Sequence, residues 1–278
     1  MTNSLLRAMP ARHAAALAAL SALALASPGP ALDAAQAAAP ITVEASYRVA
    51  YGSLKVGEIR TTTRVDGPSY RIDGTFASGG VAKLFKKTSA TVSGEGRIGK
   101  RAMSPRRFEF AYKSGEKGRA RQIDFREGRA TSITITPPYK KRDTDDWTVP
   151  SVADLERVLD PVSGLMAKGK TGEEVCGRTI RAFDGTTRLD ITMRHSRTKP
   201  FRTKGYKGEV HVCSLSLKPV AGFKKGRDSV KEIAAIRGAE AVFAPVPGTD
   251  LHQIVELEVP TSIGKVSAQA TRLRFGGV

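Results

Sequence analysis

The chain has 278 residues, and its 45 lysines and arginines outnumber its 27 aspartates and glutamates, which gives a formal net charge of +18. Two cysteines are too few for a four-thiolate zinc site, and beyond the N-terminal segment no apolar stretch reaches the length of about 20 residues that a membrane-spanning helix needs. The length suits one β-rich domain, or two small ones, after removal of an export signal.

Residues 1–38 have the composition of a secretory signal peptide. Two arginines precede the apolar stretch AAALAALSALALA, and small residues and prolines follow it. The stretch is too short for a stable membrane-spanning helix, and we expect cleavage near Ala26 or Ala37. An uncleaved N-terminal anchor is the alternative. The sequence therefore predicts an exported, periplasmic protein in which residues 40–278 form a single β-rich domain.

Apolar and polar residues alternate along nearly all of the remaining sequence, as in strands with one buried face. Short turns rich in glycine, aspartate and serine separate these strands and favour antiparallel neighbours. The apolar members of the clearest runs are Tyr70, Ile72 and Phe76, then Phe108, Phe110 and Tyr112, then Leu189, Ile191 and Met193. We predict an all-β fold in which a curved antiparallel sheet forms a barrel or incomplete barrel with one or two short helices. A two-sheet sandwich is the alternative.

Helical segments are predicted to be few and short. Residues 79–87 suit two helical turns, and residues 152–169 are the best candidate, although Pro161 must interrupt that helix or begin a second one. Asp160 is placed to cap a helix that begins at this proline. Near Gly57 the alternation changes phase, which indicates one extra residue in the strand, a β-bulge.

The two cysteines, Cys176 and Cys213, are predicted to form a disulfide. An exported protein folds in an oxidising compartment, and neither cysteine belongs to a C-x-x-C pair that would indicate a metal. His211 lies two residues from Cys213, but on a strand this spacing leaves the side chains about 7 Å apart, a poor catalytic pair. Two inert thiols and a catalytic thiol are the alternatives. The disulfide would stabilise the fold by roughly 3–4 kcal/mol.

No motif of a known catalytic or cofactor site is present in the sequence. It lacks a G-x-S-x-G elbow and a phosphate-binding loop, and His195, His211 and His252 have no metal-ligand spacing. GEGRIG at 94–99 resembles a dinucleotide fingerprint only superficially, because it lies among strands and opens no helix. We therefore predict a non-enzymatic protein without metal or cofactor. A hydrolase of cell-wall or lipid material is the alternative, with the three histidines as its candidate residues.

One segment, residues 194–208, is rich in basic and aromatic residues and contains no acid. In a cytosolic protein this composition would suggest single-stranded nucleic acid, which export argues against. Anionic lipid headgroups or envelope polymers are the expected partners, and a solvated basic loop is the alternative. The candidate contacts with an anionic surface are Arg194, Arg197, Lys199, Phe201, Arg202, Lys204 and Lys207.

Several motifs resemble those of the DUF3108 family of exported bacterial proteins. They are the G-x-x-K-V-G-E step at residues 52–58, the third-strand Tyr70, the D-P-x-S motif at 160–163 and the D-G hairpin at 184–185. The resemblance covers most of residues 43–220 and supplies no activity and no catalytic residues. In plan the family is similar to curved periplasmic β-sheet proteins that hold acyl chains, and the related-looking DUF1849 proteins are associated with envelope integrity.

The resemblance and the residue patterns together lead us to expect an envelope protein that binds lipid or another hydrophobic component and supports envelope integrity. The candidate pocket residues are Phe76, Phe108, Phe110 and Leu189. A structural module that binds a periplasmic protein partner, through a sheet edge or the basic segment, is the second hypothesis.

Overall fold

The computed structural model describes residues 39–80, 87–100, 102–139 and 144–277. The predicted signal peptide at 1–38 and most of the predicted helix at 79–87 lie outside these residues. Within the described ranges, no helix is both long enough and apolar enough to cross a membrane.

The described chain is dominated by fourteen strands, and its helices are short. The helical elements are two 3-10 turns, Ala153–Leu155 and Ser163–Leu165, and two α-helices, Gly172–Cys176 and Asp228–Ala235. The strands are β1 (Ile41–Tyr51), β2 (Leu54–Asp66), β3 (Ser69–Ser78), β4 (Thr88–Ile98), β5 (Met103–Ser114), β6 (Lys117–Arg126), β7 (Arg129–Thr136), β8 (Met166–Lys168), β9 (Arg178–Phe183), β10 (Arg188–Thr203), β11 (Tyr206–Ala221), β12 (Ala239–Pro245), β13 (Leu251–Thr261) and β14 (Gly264–Gly276).

All of these strands belong to one sheet, and their order is β7-β6-β5-β4-β3-β2-β1-β14-β13-β12-β11-β10-β9, with β8 added on β13. Every pairing between named strands is antiparallel. From β1 to β7 and from β9 to β14, strands that follow each other in sequence are neighbours in the sheet, and β1 pairs with β14. The predicted all-β antiparallel fold is confirmed. The two-sheet sandwich is not formed.

The sheet does not close on itself, because β7 and β9 remain as its two edges. A short extended segment, residues 156–159, spans the gap between them. Glu156 pairs with Arg129 of β7, and Leu159 pairs with Ala182 of β9. We call residues 156–159 the edge-bridging segment. The fold is therefore an incomplete barrel whose edges are joined by isolated bridges rather than by a full ladder.

The predicted helix at 152–169 is wrong over most of its length. The structure places two 3-10 turns and the short strand β8 there, and Arg157 has a positive φ of 52° that no α-helix contains. Pro161 lacks a backbone N–H and excludes the α-conformation from the residue before it. Instead, residues 157–168, the inserted segment, place Val158, Val162 and Met166 in the core of the sheet.

The core has two parts that lie on opposite faces of the sheet. The first part fills the inside of the curve with side chains from nearly every strand, whereas the second covers the other face of β10–β13. Strand β12 is buried on both faces: Val242 and Ala244 point into the first part, and Ala241 and Phe243 into the second. Because both faces of β12 are buried, its sequence is a continuous apolar run rather than an alternation of apolar and polar residues.

The predicted β-bulge is present. The pairing of β1 with β2 shifts between Val49, which faces Gly57, and Ala50, which faces Lys55. One extra residue of β2 therefore lies opposite no residue of β1, as the change of phase in the sequence indicates.

Candidate binding pockets

An apolar pocket of about 350 Å³ opens between the sheet and the inserted segment. We call it the phenylalanine pocket, because Phe76 of β3 and Phe108 and Phe110 of β5 line it together. These three residues are the ones that the alternation assigned to a common apolar face. Pro161, Val162 and Leu165 of the inserted segment form the facing wall.

Small residues beside the phenylalanines leave the space for this pocket. Ala90 of β4 lies opposite Phe76, in the strand between the phenylalanines of β3 and β5. The ring of Phe76 lies over Gly57, where an added Cβ would come within 2.4 Å of the ring. A larger side chain at Gly57 would displace the ring into the pocket, so the bulge glycine helps to keep it open.

Leu189 lies elsewhere, and its assignment to the pocket is wrong. It is on β10, paired with Ala182 of β9 and Pro219 of β11, and does not line the phenylalanine pocket. Alternation shows which face of a strand is buried, but not which strands that face meets across the interior.

One ion pair lies at the phenylalanine pocket. Arg121 of β6 donates through Nη1 to the carboxylate of Asp184 and through Nη2 to the hydroxyl of Tyr139 at 2.9 Å. The other carboxylate oxygen of Asp184 accepts the backbone N–H groups of Thr186 and Thr187 at 2.9 and 2.8 Å. The D-G hairpin of the sequence is thus a turn that aims a carboxylate at the pocket. Sequence analysis missed both charged residues.

The D-P-x-S motif fixes the inserted segment to the sheet. The fully buried Asp160 accepts the backbone N–H groups of Val162 and Ser163 at 2.9 and 2.8 Å, together with the Ser163 hydroxyl at 2.6 Å. The Ser163 Oγ also lies 2.5 Å from the hydroxyl of Tyr70 on β3. Burial raises the pKa of Asp160, although these hydrogen bonds act in the opposite direction. The predicted carboxylate therefore accepts N–H groups at the start of a 3-10 turn, but it is not the N-cap of a helix that begins at Pro161, because the N-cap of this turn is Val162.

GEGRIG has a structural reason to be glycine-rich. A Cβ added to Gly94 would lie 3.2 Å from Oδ1 of Asp160, and one added to Gly96 would lie 2.8 Å from the Tyr70 hydroxyl. The two glycines make room for the hydrogen-bonded motif, which supports the view that they are not part of a nucleotide site.

The basic segment is not a loop but the outer half of the β10–β11 hairpin. Phe201 points inward and is only 8% exposed, so it is unable to act as an exposed aromatic anchor. Arg197 makes a bidentate ion pair with Glu240, and Lys199 pairs with Glu256. These three residues are therefore engaged within the protein, whereas Arg194, Arg202, Lys204 and Lys207 are exposed.

The end of this hairpin carries a group of cations. Arg202 lies opposite Lys207 in the β10–β11 ladder. The backbone of Lys204 forms an isolated β-bridge with that of Arg272 on β14. In the described ranges, none of these side chains forms an ion pair with a carboxylate. We call these four residues the basic tip.

The sulfur atoms of Cys176 and Cys213 are joined in a disulfide, as the sequence predicts, with their Cα atoms 5.4 Å apart. The bond ties the end of the helix Gly172–Cys176 to β11 and lies within the second part of the core, with both cysteines fully buried. Thr171 caps this helix by accepting the N–H of Glu174 at 3.3 Å.

The three candidate histidines come together beside the disulfide. The ring centroids of His195 and His211 are 5.7 Å apart, and those of His211 and His252 are 5.4 Å apart. Burial, and then the neighbouring His211, lower the pKa of His252 to about 4. Among the residues that the structure describes, no group of three histidine, cysteine or acidic side chains is arranged to hold a metal ion.

The fold and the motifs can now be compared with known proteins. The sequence model of DUF3108, a protein family of unknown function, matches residues 46–271. The chain belongs to the DUF3108 family. The match extends beyond the region in which the motifs were recognised and includes β12, β13 and most of β14 of this DUF3108 protein.

A solved structure from Brucella abortus, a beta-barrel-like protein of the domain of unknown function DUF1849, is 10% identical to the DUF3108 chain, with a TM-score of 0.49. The similarity covers 86% of the DUF3108 chain and 98% of the Brucella chain. No curated protein matches the DUF3108 chain.

Proposed function

We propose that this DUF3108 protein is an exported, non-catalytic envelope protein that binds the acyl chain of an anionic lipid in the phenylalanine pocket. The observation that carries the proposal is the pocket itself, with three phenylalanines on one wall and Pro161, Val162 and Leu165 on the other. Its volume of about 350 Å³ lies within the range of small-molecule sites, about 300–1,000 Å³.

Export is supported by two independent features. The N-terminal sequence has the parts of a signal peptide, and the only two cysteines of the chain are joined in a buried disulfide. Structural disulfides form in oxidising compartments such as the periplasm and are rare in the cytosol. Both features favour a periplasmic protein.

The basic tip supports a preference for anionic lipid. Its four cations are exposed or half-buried; three lie at one end of the β10–β11 hairpin and the fourth, Arg272, lies on the adjoining part of β14, so they can approach a surface together. Each Lys or Arg near an anionic membrane contributes about 1 kcal/mol, an attraction that salt screens. The tip would hold the protein near the membrane from which the pocket takes its ligand.

A catalytic role has less support. Among the carboxyl and imidazole groups, burial raises the pKa of Asp160 and lowers that of His252; these residues are 0% and 4% exposed, and Asp160 accepts several hydrogen bonds from its own segment. Catalytic acids and bases must reach a substrate. A structural role accounts for both groups.

The second candidate function is a module that binds a protein partner. The observation in its favour is the edge strand β7, where Ile133 is 39% exposed and the outer backbone groups have few partners. An exposed edge of this kind is a template for strand addition. The presence of the phenylalanine pocket favours lipid binding over the partner-binding module.

The direct test is binding of a fluorescent long-chain fatty acid to the protein purified from the periplasm. Phe110→Asp places a carboxylate in the pocket, and we expect it to weaken binding at least about tenfold, since a hydrocarbon chain bound beside the carboxylate would deprive it of water. Phe275→Asp is the matched control, because Phe275 is also half-buried and packs on the same core but does not line the pocket. Equal binding by both variants, with both folded, would refute the proposal.

A further inference from the structure

A second cavity, of about 830 Å³, is lined by the other residues of the inserted segment and by β8 and β9. Its apolar surface comes from side chains such as Met103, Met166 and Ile180. Its charged residues are six cations, Lys100, Arg157, Lys168, Lys170, Arg178 and Arg181, against two acids, Glu174 and Asp250. We call it the cationic cleft.

Two of these cations are held by contacts with the protein. Arg178 donates to the backbone carbonyls of Lys168 and Glu174, and burial lowers the pKa of its guanidinium. The Nζ of Lys168 lies 3.4 Å from the carboxylate of Asp250 and donates to the carbonyl of Gly99 at 3.3 Å. These contacts fix two positive charges inside the cleft.

The other four cations, Lys100, Arg157, Lys170 and Arg181, form no ion pair within the portion of the chain that the structure describes. Arg181 makes only a long contact, 3.5 Å, with the carbonyl of Glu156. Arg157 enters the cleft from a backbone with positive φ, a conformation that costs a non-glycine residue free energy. The cationic cleft therefore has an excess of positive charge, because its two acids do not neutralise its six cations.

We propose that the cationic cleft binds a phosphate group carried by an amphipathic molecule. Guanidinium groups offer paired N–H donors that match phosphate oxygens, and lysines add positive charge without a fixed geometry. The apolar floor favours a ligand with a hydrocarbon portion next to the phosphate. A phospholipid headgroup and a free phosphate supply the same recognised chemistry, and binding measurements distinguish these two sources.

This site is separate from the phenylalanine pocket, because the two cavities share no lining residue. The proposal therefore goes beyond the proposed function and can fail alone. A change at Phe110 tests the pocket and leaves the cleft intact, whereas a change at Lys170 or Arg181 tests only the cleft.

The experiment is calorimetric titration of the mature protein, purified from the periplasm, with soluble dihexanoyl phosphatidate and, separately, inorganic pyrophosphate. The double variant Lys170→Gln/Arg181→Gln removes two unpaired cations, and we expect it to bind phosphatidate at least about tenfold more weakly, as loss of charged hydrogen bonds implies. The control Lys117→Gln/Arg126→Gln removes the same charges from exposed ends of β6 and should bind like the wild type.

Each outcome has a defined meaning. Binding of phosphatidate without binding of pyrophosphate supports an amphipathic ligand that needs the apolar floor, whereas equal binding of both overturns that part and assigns the cleft to free phosphate compounds. Dihexanoyl phosphatidylcholine, whose headgroup has no net charge, should bind more weakly than phosphatidate. Absence of binding by both phosphate compounds, or an equal loss in both double variants, overturns the whole proposal.

Discussion

At the scale of single residues, the histidine cluster shows how burial and a neighbouring imidazole together lower the pKa of a histidine. His252 is 4% exposed and packs on His211, whereas the nearby Asp250 acts in the opposite direction. Its pKa of about 4 lies below the value of 6.5 for an unfolded histidine. Between these two values the unfolded chain binds a proton that the folded protein does not bind.

The first prediction follows from this difference. The stabilisation associated with neutral His252 is complete above about pH 6.5 and is lost as the pH falls towards about 4, because protonation then favours unfolding. We expect the wild type to lose about 2–3 kcal/mol more than a His252→Gln variant across this window. Urea unfolding of both proteins at several pH values measures the difference. Parallel pH profiles would contradict the assigned role, since acidic groups contribute equally to both proteins.

The role of a residue could be predicted from the sequence where the pattern that indicates it is local. The disulfide was predicted from the expectation of export and from the presence of only two cysteines, and the grouping of the three phenylalanines was predicted from the alternation in β3 and β5. The prediction of Leu189 as a pocket residue and that of Phe201 as a surface contact failed for a common reason. Whether a side chain faces a cavity or a packed neighbour depends on strands far away in sequence, and a period of two carries no such information.

At the scale of elements, the inserted segment distinguishes this molecule from a simple meander. It fills part of the interior, lines both cavities and spans the sheet edges. Its hold on the sheet depends on the hydrogen-bonded chain from Asp160 through Ser163 to Tyr70. A fully buried carboxylate is tolerated there because three donors surround it.

The second prediction concerns this hydrogen-bonded chain. Ser163→Ala removes a donor to Asp160 and the partner of the Tyr70 hydroxyl, so two buried polar groups lose a hydrogen bond. We expect the free energy of unfolding to fall by about 2 kcal/mol, measured by urea denaturation. Ser132→Ala, at an exposed position of β7, should change it by less than about 0.5 kcal/mol. A loss at Ser163 no larger than at Ser132 would show that the motif does not secure the segment.

The same segment shows why some elements were mispredicted. Residues 152–169 were the best helix candidate, but their apolar side chains pack into the sheet interior rather than form one face of a helix. Likewise, the composition of residues 194–208 suggested a basic loop, yet β10 runs for 16 residues because inward residues such as Phe201 alternate with the basic ones. Tertiary packing overrides local propensity in both places.

At the scale of the whole molecule, long-range contacts hold the sheet together at its middle and across its edges. Strand β1 pairs with β14 in the middle of the sheet, so the sheet is continuous only when the last strand has joined the first. The edge-bridging segment connects the edge strands β7 and β9, and the Arg121–Asp184 ion pair connects β6 to the turn after β9. The disulfide adds a cross-link over a sequence separation of 37, worth roughly 3–4 kcal/mol. The general architecture was predictable from alternation, but not the degree of closure, which these contacts decide.

The central claim is that the exported protein carries a lipid in the phenylalanine pocket. Native mass spectrometry of the wild type and Phe110→Asp, both purified from the periplasm, tests it most directly, followed by solvent extraction and lipid analysis. We expect a polypeptide mass about 2 Da below the reduced value, because disulfide formation removes two hydrogens. We also expect a bound lipid in the wild type that Phe110→Asp lacks. A wild-type protein with the disulfide and no bound lipid, or equal lipid in both proteins, would contradict the claim and favour the partner-binding module.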